Sequence, residues 1–400
     1  MATATVTEPQ ITFETLLGRL EEITPIIEKH RDEAEESLRL SEPVVTAMKE
    51  AGLFRLYLPR SLGGLEVDPV THFRISERVA RIDCAASWVM GIANSFAFVA
   101  SYLQDEGTAM MFGSDPNALA CGTLNSIGKA SPVDGGYRFS SRAPFNSGSR
   151  FSDWCLMQGE VQRDAPKEDA EPHLIGLFCP LKDAEIIDNW DVSGLRGTAS
   201  NDIQVNDLLI PSALTFSLET LGQPSTNPHY GGALYRMPVC NLPPSTGVPP
   251  GLGALREALD WVSDLAQNKT PFASSSKLRE RSIAQINYGK ALGLYRASYA
   301  LTETTIERVW SKVVSGEAAS AEDKADFFLP AAQASNMIAE GVKLTASVAG
   351  STWIRKGNPV ERAVRDVEVL RNHAYLCESR FGTATQVYWG LDPDFAFITI

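Results

Sequence analysis

The feature that most constrains the fold is a change in hydrophobic periodicity that occurs twice along the chain. Up to about residue 118, apolar residues recur at helical spacing, as Leu16, Leu20, Ile23 and Ile27 do. From 119 to about 220, short β-like runs are broken by Gly, Asp, Asn and Pro. Long helical patterns return after residue 252. This order predicts an α+β protein with an N-terminal helical domain (1–118), a middle β domain (119–221) and a C-terminal helical region (222–400).

The helical patterns have recognisable ends. A helix is predicted within residues 11–40, where Pro25 marks a kink or a helix start. A second helix follows Ser41, a candidate N-cap, and ends at Gly52. Further patterns cover 70–82 and 85–103. Those at 254–267, 281–309 and 323–349 are long enough to form an antiparallel bundle.

The β runs begin near residues 137, 154, 174 and 202, and the sequence 134–136 (DGG) predicts a tight turn before the first of them. The acidic stretch 163–172 is interpreted as a solvated hairpin loop. Residues 222–253 hold seven prolines and six glycines, which interrupt regular structure. That segment either lines a pocket or is a plain linker, and the sequence leaves both interpretations open.

The charge and the reactive side chains exclude several classes of protein. The net charge is −13 and there is no Lys/Arg run, which argues against nucleic acid or an anionic membrane as a partner. We expect no membrane span and no signal peptide, and therefore a cytoplasmic protein. The six cysteines form no CxxC and the five histidines no HExxH, so no disulfide framework and no protein-held metal is expected.

One histidine is a candidate for chemistry. A helical run over 362–372 ends at His373, close to Tyr375. Imidazole is the side chain best suited to exchange a proton near neutral pH. A histidine with a structural hydrogen bond would give the same pattern, so spacing alone leaves its role open.

Three motifs resemble those of the acyl-CoA dehydrogenase superfamily, in that family's order and over essentially the whole chain. They are residues 49–67 (KEAGLFRLYLPRSLGGLEV), 194–202 (GLRGTASND) and 359–366 (PVERAVRD). The resemblance implies an N-terminal helical domain, a β-barrel-like middle domain and a C-terminal four-helix bundle. It also implies a tetramer, with flavin between the middle and C-terminal domains.

Two departures point to one branch of that superfamily. Ala374 stands where many dehydrogenases carry a catalytic Glu, and alanine cannot act as a base. Residues 121–148 instead resemble the oxygenase components of group D two-component flavin monooxygenases, such as p-hydroxyphenylacetate hydroxylase and dibenzothiophene monooxygenase. This implies reduced flavin (FADH2 or FMNH2) from a separate NAD(P)H:flavin reductase. Its reaction with O2 to a C4a-hydroperoxyflavin would then oxygenate an aromatic or heteroaromatic small molecule. The sequence contains no GxGxxG after a strand, the motif that would bind a nicotinamide dinucleotide. This fits a separate reductase as the source of electrons.

The same resemblance assigns roles to residues. Ser147 would accept a hydrogen bond from flavin N5–H, although a turn serine bonded to its own backbone is the simpler alternative. His373 would polarise or deprotonate the substrate, or protonate the distal peroxide oxygen. The expected flavin-binding residues, some of them acting across a subunit boundary, are Thr123, Leu124, Asn125, Asn146, Ser147, Gly148, Ser200, Phe272, Arg279 (or Arg281), Val348, Ala349 and Gly350.

An aromatic lining would suit an aromatic substrate. The residues predicted to bind it are Trp88, Asn94, Phe98, Tyr235, Asn372 and Tyr375, with Tyr230 as a further candidate, and simple core packing is the alternative for each. Arg196 is expected to be structural, and Arg365 with Asp366 to form a structural ion pair. Two other functions stay open: an acyl-CoA dehydrogenase or flavin oxidase with a displaced base, and a silent helical scaffold.

Overall fold

The computed structural model describes residues 11–162 and 173–400. The hairpin loop predicted at 163–172 lies outside the described residues. An N-terminal group of helices comes first: α1 (Phe13–Ser37), α2 (Glu42–Glu50), α3 (Pro69–Ala80), α4 (Cys84–Val99) and α5 (Asp105–Phe112). Pro25 lies inside α1, which continues through it. Helix α2 begins after Ser41, whose side chain makes no capping hydrogen bond.

In the described residues, the middle of the chain forms one seven-stranded sheet. Its strands are β1 (Ala120–Val133), β2 (Gly136–Asn146), β3 (Trp154–Val161), β4 (Leu174–Pro180), β5 (Glu185–Ile187), β6 (Asn201–Pro211) and β7 (Thr215–Ser217). Their order is β5-β6-β2-β1-β3-β4-β7. Neighbours are antiparallel except β1 and β3, which are parallel. The predicted turn at 134–136 joins β1 to β2, with Gly135 at a φ of +79° that favours glycine.

The C-terminal region is helical: α6 (Val248–Asn268), α7 (Ser282–Val314), α8 (Ala321–Ala349), α9 (Pro359–Leu370) and α10 (Ser379–Tyr388). Helices α6 to α9 pack against one another as a four-helix bundle. Helix α6 begins six residues before the predicted start at Ala254. In the sequence, Pro249 and Pro250 favoured irregular structure. Both fit the first turn of a helix, because the backbone N–H groups of that turn have no partner within the helix. The predicted α+β class and order of domains match this architecture.

Helix α4 is the element that connects the layers. Asp83 caps it by accepting a hydrogen bond from the Ala86 N–H, and nearly every one of its sixteen residues is buried. It packs on α3, on α6 and on β1. In the described part of the chain, the stretch Cys84–Tyr102 is long and apolar enough to cross a membrane by composition alone. Because 89% of it is buried inside the fold, it has the pattern of a core helix.

Candidate active site

A cavity of about 860 Å³ lies where the sheet, α4 and the end of α9 meet. Most of its wall is apolar. Predicted residues that line it are Trp88, Thr123, Leu124, Asn125, Ser147, Ser200, Asn372, His373 and Tyr375. The proline-rich segment belongs to the pocket wall, because five of its residues line the cavity: Val239, Leu242, Pro243, Thr246 and Gly247.

The first wall is an irregular stretch of β1. The register between β1 and β3 shifts between Gly122 and Ile127, so the intervening residues leave the β3 ladder. Gly122 has a φ of +150°, and a Cβ there would lie 2.4 Å from the Leu156 carbonyl oxygen, so this close approach requires glycine. Such bulges are common next to active sites, because they turn backbone groups toward a ligand.

The second wall is the turn that follows β2. Phe145 and Gly148 both have positive φ, at 63° and 87°, and Ser147 lies between them. The Ser147 hydroxyl lies 2.8 Å from that of Ser200 and accepts a hydrogen bond of 3.0 Å from Trp88 Nε1. The Ser147 hydroxyl therefore makes its hydrogen bonds with side chains at the cavity wall. A turn serine would instead bond to its own backbone.

The third wall is the loop before β6. Its Leu195 N–H donates to the Asp366 carboxylate at 2.6 Å, which ties the loop to α9. The Thr198 hydroxyl donates to the Leu195 carbonyl oxygen at 2.9 Å and lies 2.7 Å from the Ser200 hydroxyl. Burial raises the pKa of Asp366 to about 7, more than the Leu195 N–H and the nearby Arg365 lower it.

His373 follows the end of α9, where its N–H donates to the Leu370 carbonyl oxygen at 2.9 Å. Its ring lies edge-to-face with Trp88, 5.0 Å between centroids, and with Tyr375 at 5.2 Å. The imidazole borders the cavity and is partly buried, and desolvation lowers its pKa to about 4. Nδ1 accepts from the Tyr375 N–H at 3.4 Å, so the neutral ring carries its hydrogen on Nε2.

Three predicted substrate residues contribute to the core instead of the cavity. The Asn94 amide donates to the carbonyl oxygens of Leu53 and Met90. Phe98 is only 1% exposed, and the Tyr235 hydroxyl donates to the Tyr57 carbonyl oxygen. The polar atoms of Asn94 and Tyr235 have hydrogen-bond partners, and the rings of Phe98 and Tyr235 are packed in the core. These three residues therefore follow the alternative prediction of simple core packing. Tyr230, which packs on Tyr235, is buried in the same way.

Other predicted flavin-binding residues lie outside the cavity of this chain. Asn146 and Gly148 flank Ser147 and hold the turn: the Asn146 amide donates to the Ala143 and Asn201 carbonyl oxygens. Phe272 is fully exposed, and Arg279 donates to Gln267 at the surface. Val348 and Ala349 are buried at the end of α8, before Gly350. Contacts of these distant residues with flavin across a subunit boundary stay a prediction.

The predicted ion pair between Arg365 and Asp366 is wrong. The Arg365 guanidinium binds the carboxylates of Glu361 and Glu35, at 2.7 and 2.9 Å. Arg365 also donates to the Ser193 carbonyl oxygen at 2.9 Å, whereas the Asp366 carboxylate accepts from the Leu195 N–H, so the two side chains contact the same loop through different partners. Arg196 is structural as expected, donating to the carbonyl oxygens of Glu35 and Val192.

Several cavity residues were missed from the sequence. Phe395 and Phe397 come from the last turn of the chain, and Tyr375 stacks on Phe397 at 5.0 Å. The tail carries no motif, so nothing in the sequence signalled them. Trp190 precedes the recognised motif at 194–202 by four residues, and that proximity could have marked it. The further missed aromatic residues are Phe96, Phe145 and Phe216.

Acid–base groups in the cavity are few. Ala374 lines it, so the position of the dehydrogenase base offers no carboxylate. Among the described lining residues, Glu368 carries the one carboxylate, and it lies within 3.6 Å of both Lys343 and Arg371. Within residues 11–162 and 173–400, we find no cluster of His, Cys, Asp and Glu suited to a metal.

The fold defines a structural class shared with solved flavoprotein structures. XiaF from a Streptomyces species, solved in complex with FADH2 and glycerol, superposes with a TM-score of 0.90 at 21% identity, covering 96% of this chain and 97% of XiaF. The HsaA monooxygenase of M. tuberculosis gives a TM-score of 0.88 at 22% identity, covering 97% of this chain and all of HsaA.

The family follows from the sequence. The model of the acyl-CoA dehydrogenase N-terminal domain matches residues 20–110, and that of the C-terminal domain matches residues 246–378. Together they match more than half of the chain. The chain belongs to the acyl-CoA dehydrogenase family, as its motifs predicted.

The relatives point to the oxygenase branch. Indole-3-acetate monooxygenase of Pseudomonas putida is 28% identical over 354 residues, which cover 88% of each chain. The oxygenase component of the FADH(2)-dependent resorcinol hydroxylase of a Rhizobium species is 25% identical over 400 residues, covering 94% of this chain and 95% of the relative. The prediction of a flavin-dependent monooxygenase, with a flavin cofactor, is confirmed, and the dehydrogenase alternative is not favoured.

Proposed function

We propose that this chain is the oxygenase component that takes reduced flavin from a separate reductase and, with O2, oxygenates an aromatic or heteroaromatic small molecule. One observation carries the proposal: a largely apolar cavity in which Trp88 contacts both Ser147 and His373. The hydroxyl proposed to contact the flavin and the imidazole proposed to contact the substrate therefore line the same cavity. Ala374 lines it too, at the position where many dehydrogenases carry their catalytic base.

The residues at the cavity wall fit a flavin. The β1 bulge takes Thr123, Leu124 and Asn125 off the β3 ladder. The Leu124 carbonyl oxygen accepts from Gln158 and the Asn125 N–H donates to the Thr123 hydroxyl, so the other backbone groups of this stretch are the ones suited to the polar edge of an isoalloxazine ring. Ser147 and Ser200 would face the N5 side of the ring. When bound, the reduced flavin supplies the electrons that activate O2. The apolar wall keeps water away from that chemistry, since polar groups make up little of it.

His373 is proposed to orient and polarise the substrate. Its lowered pKa keeps the ring neutral at pH 7, and the Tyr375 N–H on Nδ1 leaves Nε2–H as a donor. A neutral donor suits a hydrogen bond to a substrate oxygen or nitrogen better than it suits proton abstraction. Of the roles inferred from the family, this arrangement supports polarisation.

The substrate is proposed to be aromatic. Trp88, Trp190, Phe216, Tyr375 and Phe397 surround the chamber with ring faces and edges, which bind flat apolar molecules well. Two relatives are named for aromatic substrates, indole-3-acetate and resorcinol. Asn372 lies at the exposed rim, where it can contact a polar substituent.

We also propose a homotetramer in the cytoplasm. Ile283 and Ile286 are 61% and 52% exposed one turn apart on α7, and Phe272 is fully exposed before it. Exposed apolar residues in one region are typical of subunit contacts. Assembly through this face would let Phe272, Arg279 and the end of α8 near Gly350 reach a neighbouring flavin.

The test measures, in one reaction, the oxygenated product formed and the reduced flavin consumed. The protein is mixed anaerobically with reduced FMN or FAD, and oxygenated buffer is added with a panel of phenols and indoles. We expect oxygenated product in proportion to the reduced flavin consumed. In Ser147→Ala, about tenfold more of the electrons should appear as hydrogen peroxide, because one hydrogen bond to the flavin is lost.

The controls separate the competing functions. Ser149→Ala, which removes a buried hydroxyl from the same turn, should keep the ratio of product to peroxide. Reduction of bound flavin by an acyl-CoA, without oxygenated product, would make the protein a dehydrogenase. Failure to bind either flavin would make it a scaffold.

A further inference from the structure

Three hydroxyl groups form a row that ends at the cavity. The Ser147 and Ser200 hydroxyls are 2.8 Å apart, and those of Ser200 and Thr198 are 2.7 Å apart. At the far end, Thr198 Oγ1 lies 2.9 Å from the Leu195 carbonyl oxygen. At the cavity end, Trp88 Nε1 donates to Ser147. The three side chains are buried, and Ser147 and Ser200 border the cavity.

Counting hydrogens shows the order that results when Thr198 donates to the Leu195 carbonyl oxygen. Each hydroxyl has a single hydrogen to donate, and a carbonyl oxygen can only accept. If Thr198 donates to Leu195, then Ser200 must donate to Thr198 and Ser147 must donate to Ser200. Ser147 then has no hydrogen left for the cavity. Its remaining lone pair can only accept a hydrogen bond.

The opposite order has a cost at the far end, because the 2.9 Å contact between Thr198 Oγ1 and the Leu195 carbonyl oxygen then contains no hydrogen. Thr198 then donates to Ser200, Ser200 to Ser147, and Ser147 to a group in the cavity. The Leu195 carbonyl oxygen keeps two donors, Trp190 Nε1 at 3.2 Å and the Thr198 N–H at 3.1 Å. The two orders differ in the Thr198–Leu195 hydrogen bond and in what Ser147 offers to the cavity, which is an acceptor in the first order and a donor in the second.

We propose that Thr198 and Ser200 are positioning residues that let Ser147 reverse its hydrogen bond to match the redox state of the flavin. The inference rests on the proposed function. Reduced flavin presents an N5–H, which needs an acceptor, whereas oxidised flavin presents a bare N5, which needs a donor. Each hydroxyl keeps its own hydrogen and only rotates, so no bond to hydrogen breaks and no charge moves.

The backbone keeps the oxygen atoms in place while the hydrogens turn. Ala199 has a φ of +48°, an uncommon conformation for a residue other than glycine, and it lies between the two hydroxyl residues. The Gly148 N–H donates to the Thr198 carbonyl oxygen at 2.8 Å, and the Ser149 hydroxyl donates to the Ala199 carbonyl oxygen at 2.7 Å. These bonds join the turn after β2 to the loop before β6.

The test is a comparison of flavin affinities. Thr198→Val keeps the shape of the side chain but removes the acceptor for the Ser200 hydrogen. Ser200 then donates to Ser147, which becomes a donor to the cavity. Anaerobic titration with reduced and with oxidised flavin should show the reduced form weakened about tenfold relative to the oxidised form. Thr198→Ser restores the hydroxyl and should restore the wild-type ratio.

Two further variants complete the experiment. Ser200→Ala removes the acceptor for the Ser147 hydrogen and should shift the ratio in the same direction, which provides the measurement if Thr198→Val does not fold. Ser152→Ala, just after the same turn and outside the row, should leave the ratio unchanged, because its hydroxyl donates to the Gly148 carbonyl oxygen. Melting temperatures establish that each variant is folded.

The outcomes separate the two proposals. Wild-type protein that binds neither form of flavin overturns the proposed function and the hydroxyl row with it. Wild-type protein that binds flavin, with Thr198→Val and Ser200→Ala weakening both redox forms equally, overturns the hydroxyl row alone.

Discussion

At the scale of single residues, Trp88 joins the two side chains on which the proposed chemistry depends. Its indole N–H donates to Ser147, and its ring packs against the edge of His373. Trp88 is 7% exposed and lies on the buried helix α4, so its position is determined by core packing. A rigid indole therefore sets the distance between the proposed flavin contact and the proposed substrate contact.

We predict that His373→Gln lowers kcat about 100-fold while leaving the affinity for reduced flavin unchanged, because the imidazole serves the substrate. The wild-type pH profile should show no imidazole titration from about pH 6 to 8, since the lowered pKa keeps the ring neutral there. Activity should fall as the pH approaches 4, where protonation brings a charge into an apolar cavity.

The comparison of the two pH profiles tests this assignment. In His373→Gln the acidic loss should disappear. An inflection near the ordinary imidazole pKa in the wild type, absent from the variant, would instead mean that His373 is solvated and titrates as a general acid or base.

At the scale of elements, the bulge in β1 shapes the flavin side of the cavity. We predict that Gly122→Ala destabilises the protein by about 3 kcal/mol and abolishes flavin binding, because its Cβ would lie 2.4 Å from the Leu156 carbonyl oxygen. Chemical denaturation and flavin titration measure the two effects.

The matched control is Gly135→Ala in the β1–β2 turn. Its φ is also positive, at 79°, but a Cβ there would meet no atom within 4 Å. We expect it to cost about 1 kcal/mol and to leave flavin binding intact. Equal effects of the two substitutions would mean that backbone conformation, and not the close approach to β3, makes Gly122 necessary.

At the scale of the whole molecule, Asp366 holds the bundle to the sheet domain through the Leu195 N–H. Its pKa is raised from its ordinary 3.8 to about 7, so between those values the folded state binds more protons than the unfolded state. Stability from this group is thus fully present below pH 3.8 and is lost as the pH rises through 7. In Asp366→Asn, the amide oxygen still accepts from Leu195 but does not ionise.

We predict that Asp366→Asn gains stability relative to the wild type as the pH rises from about 5 to 8, on the order of 1–3 kcal/mol. Urea denaturation at several pH values measures the difference. A difference that does not change with pH would show that the Asp366 carboxyl keeps the same charge in both states.

The assembly belongs to the same scale. We predict that the double substitution Ile283→Lys and Ile286→Lys reduces the solution mass below that of a tetramer, because it brings two charges into an apolar contact. Light scattering measures the mass. Leu209→Lys, at an apolar residue on β6 that is 47% exposed, should leave the mass unchanged. An unchanged mass in both variants would remove α7 from the interface.

The sequence by itself determined the order of helices, sheet and bundle, because periodicity is a local property of neighbouring residues. It also pointed to Ser147 and His373 through motifs that resemble those of a family. Local patterns failed where a residue's environment comes from elsewhere in the chain: Asn94, Phe98 and Tyr235 carry the same side chains as cavity residues but face the core.

Only the tertiary structure decided how the site is joined together. Trp88 and Ser147 are 59 residues apart in sequence, and Leu195 and Asp366 are 171 apart, yet each pair shares a hydrogen bond. Phe397 completes the cavity from the end of the chain. Such contacts arise when distant elements pack, and the direction of a side chain after packing depends on the neighbours it meets, which no local stretch of sequence contains.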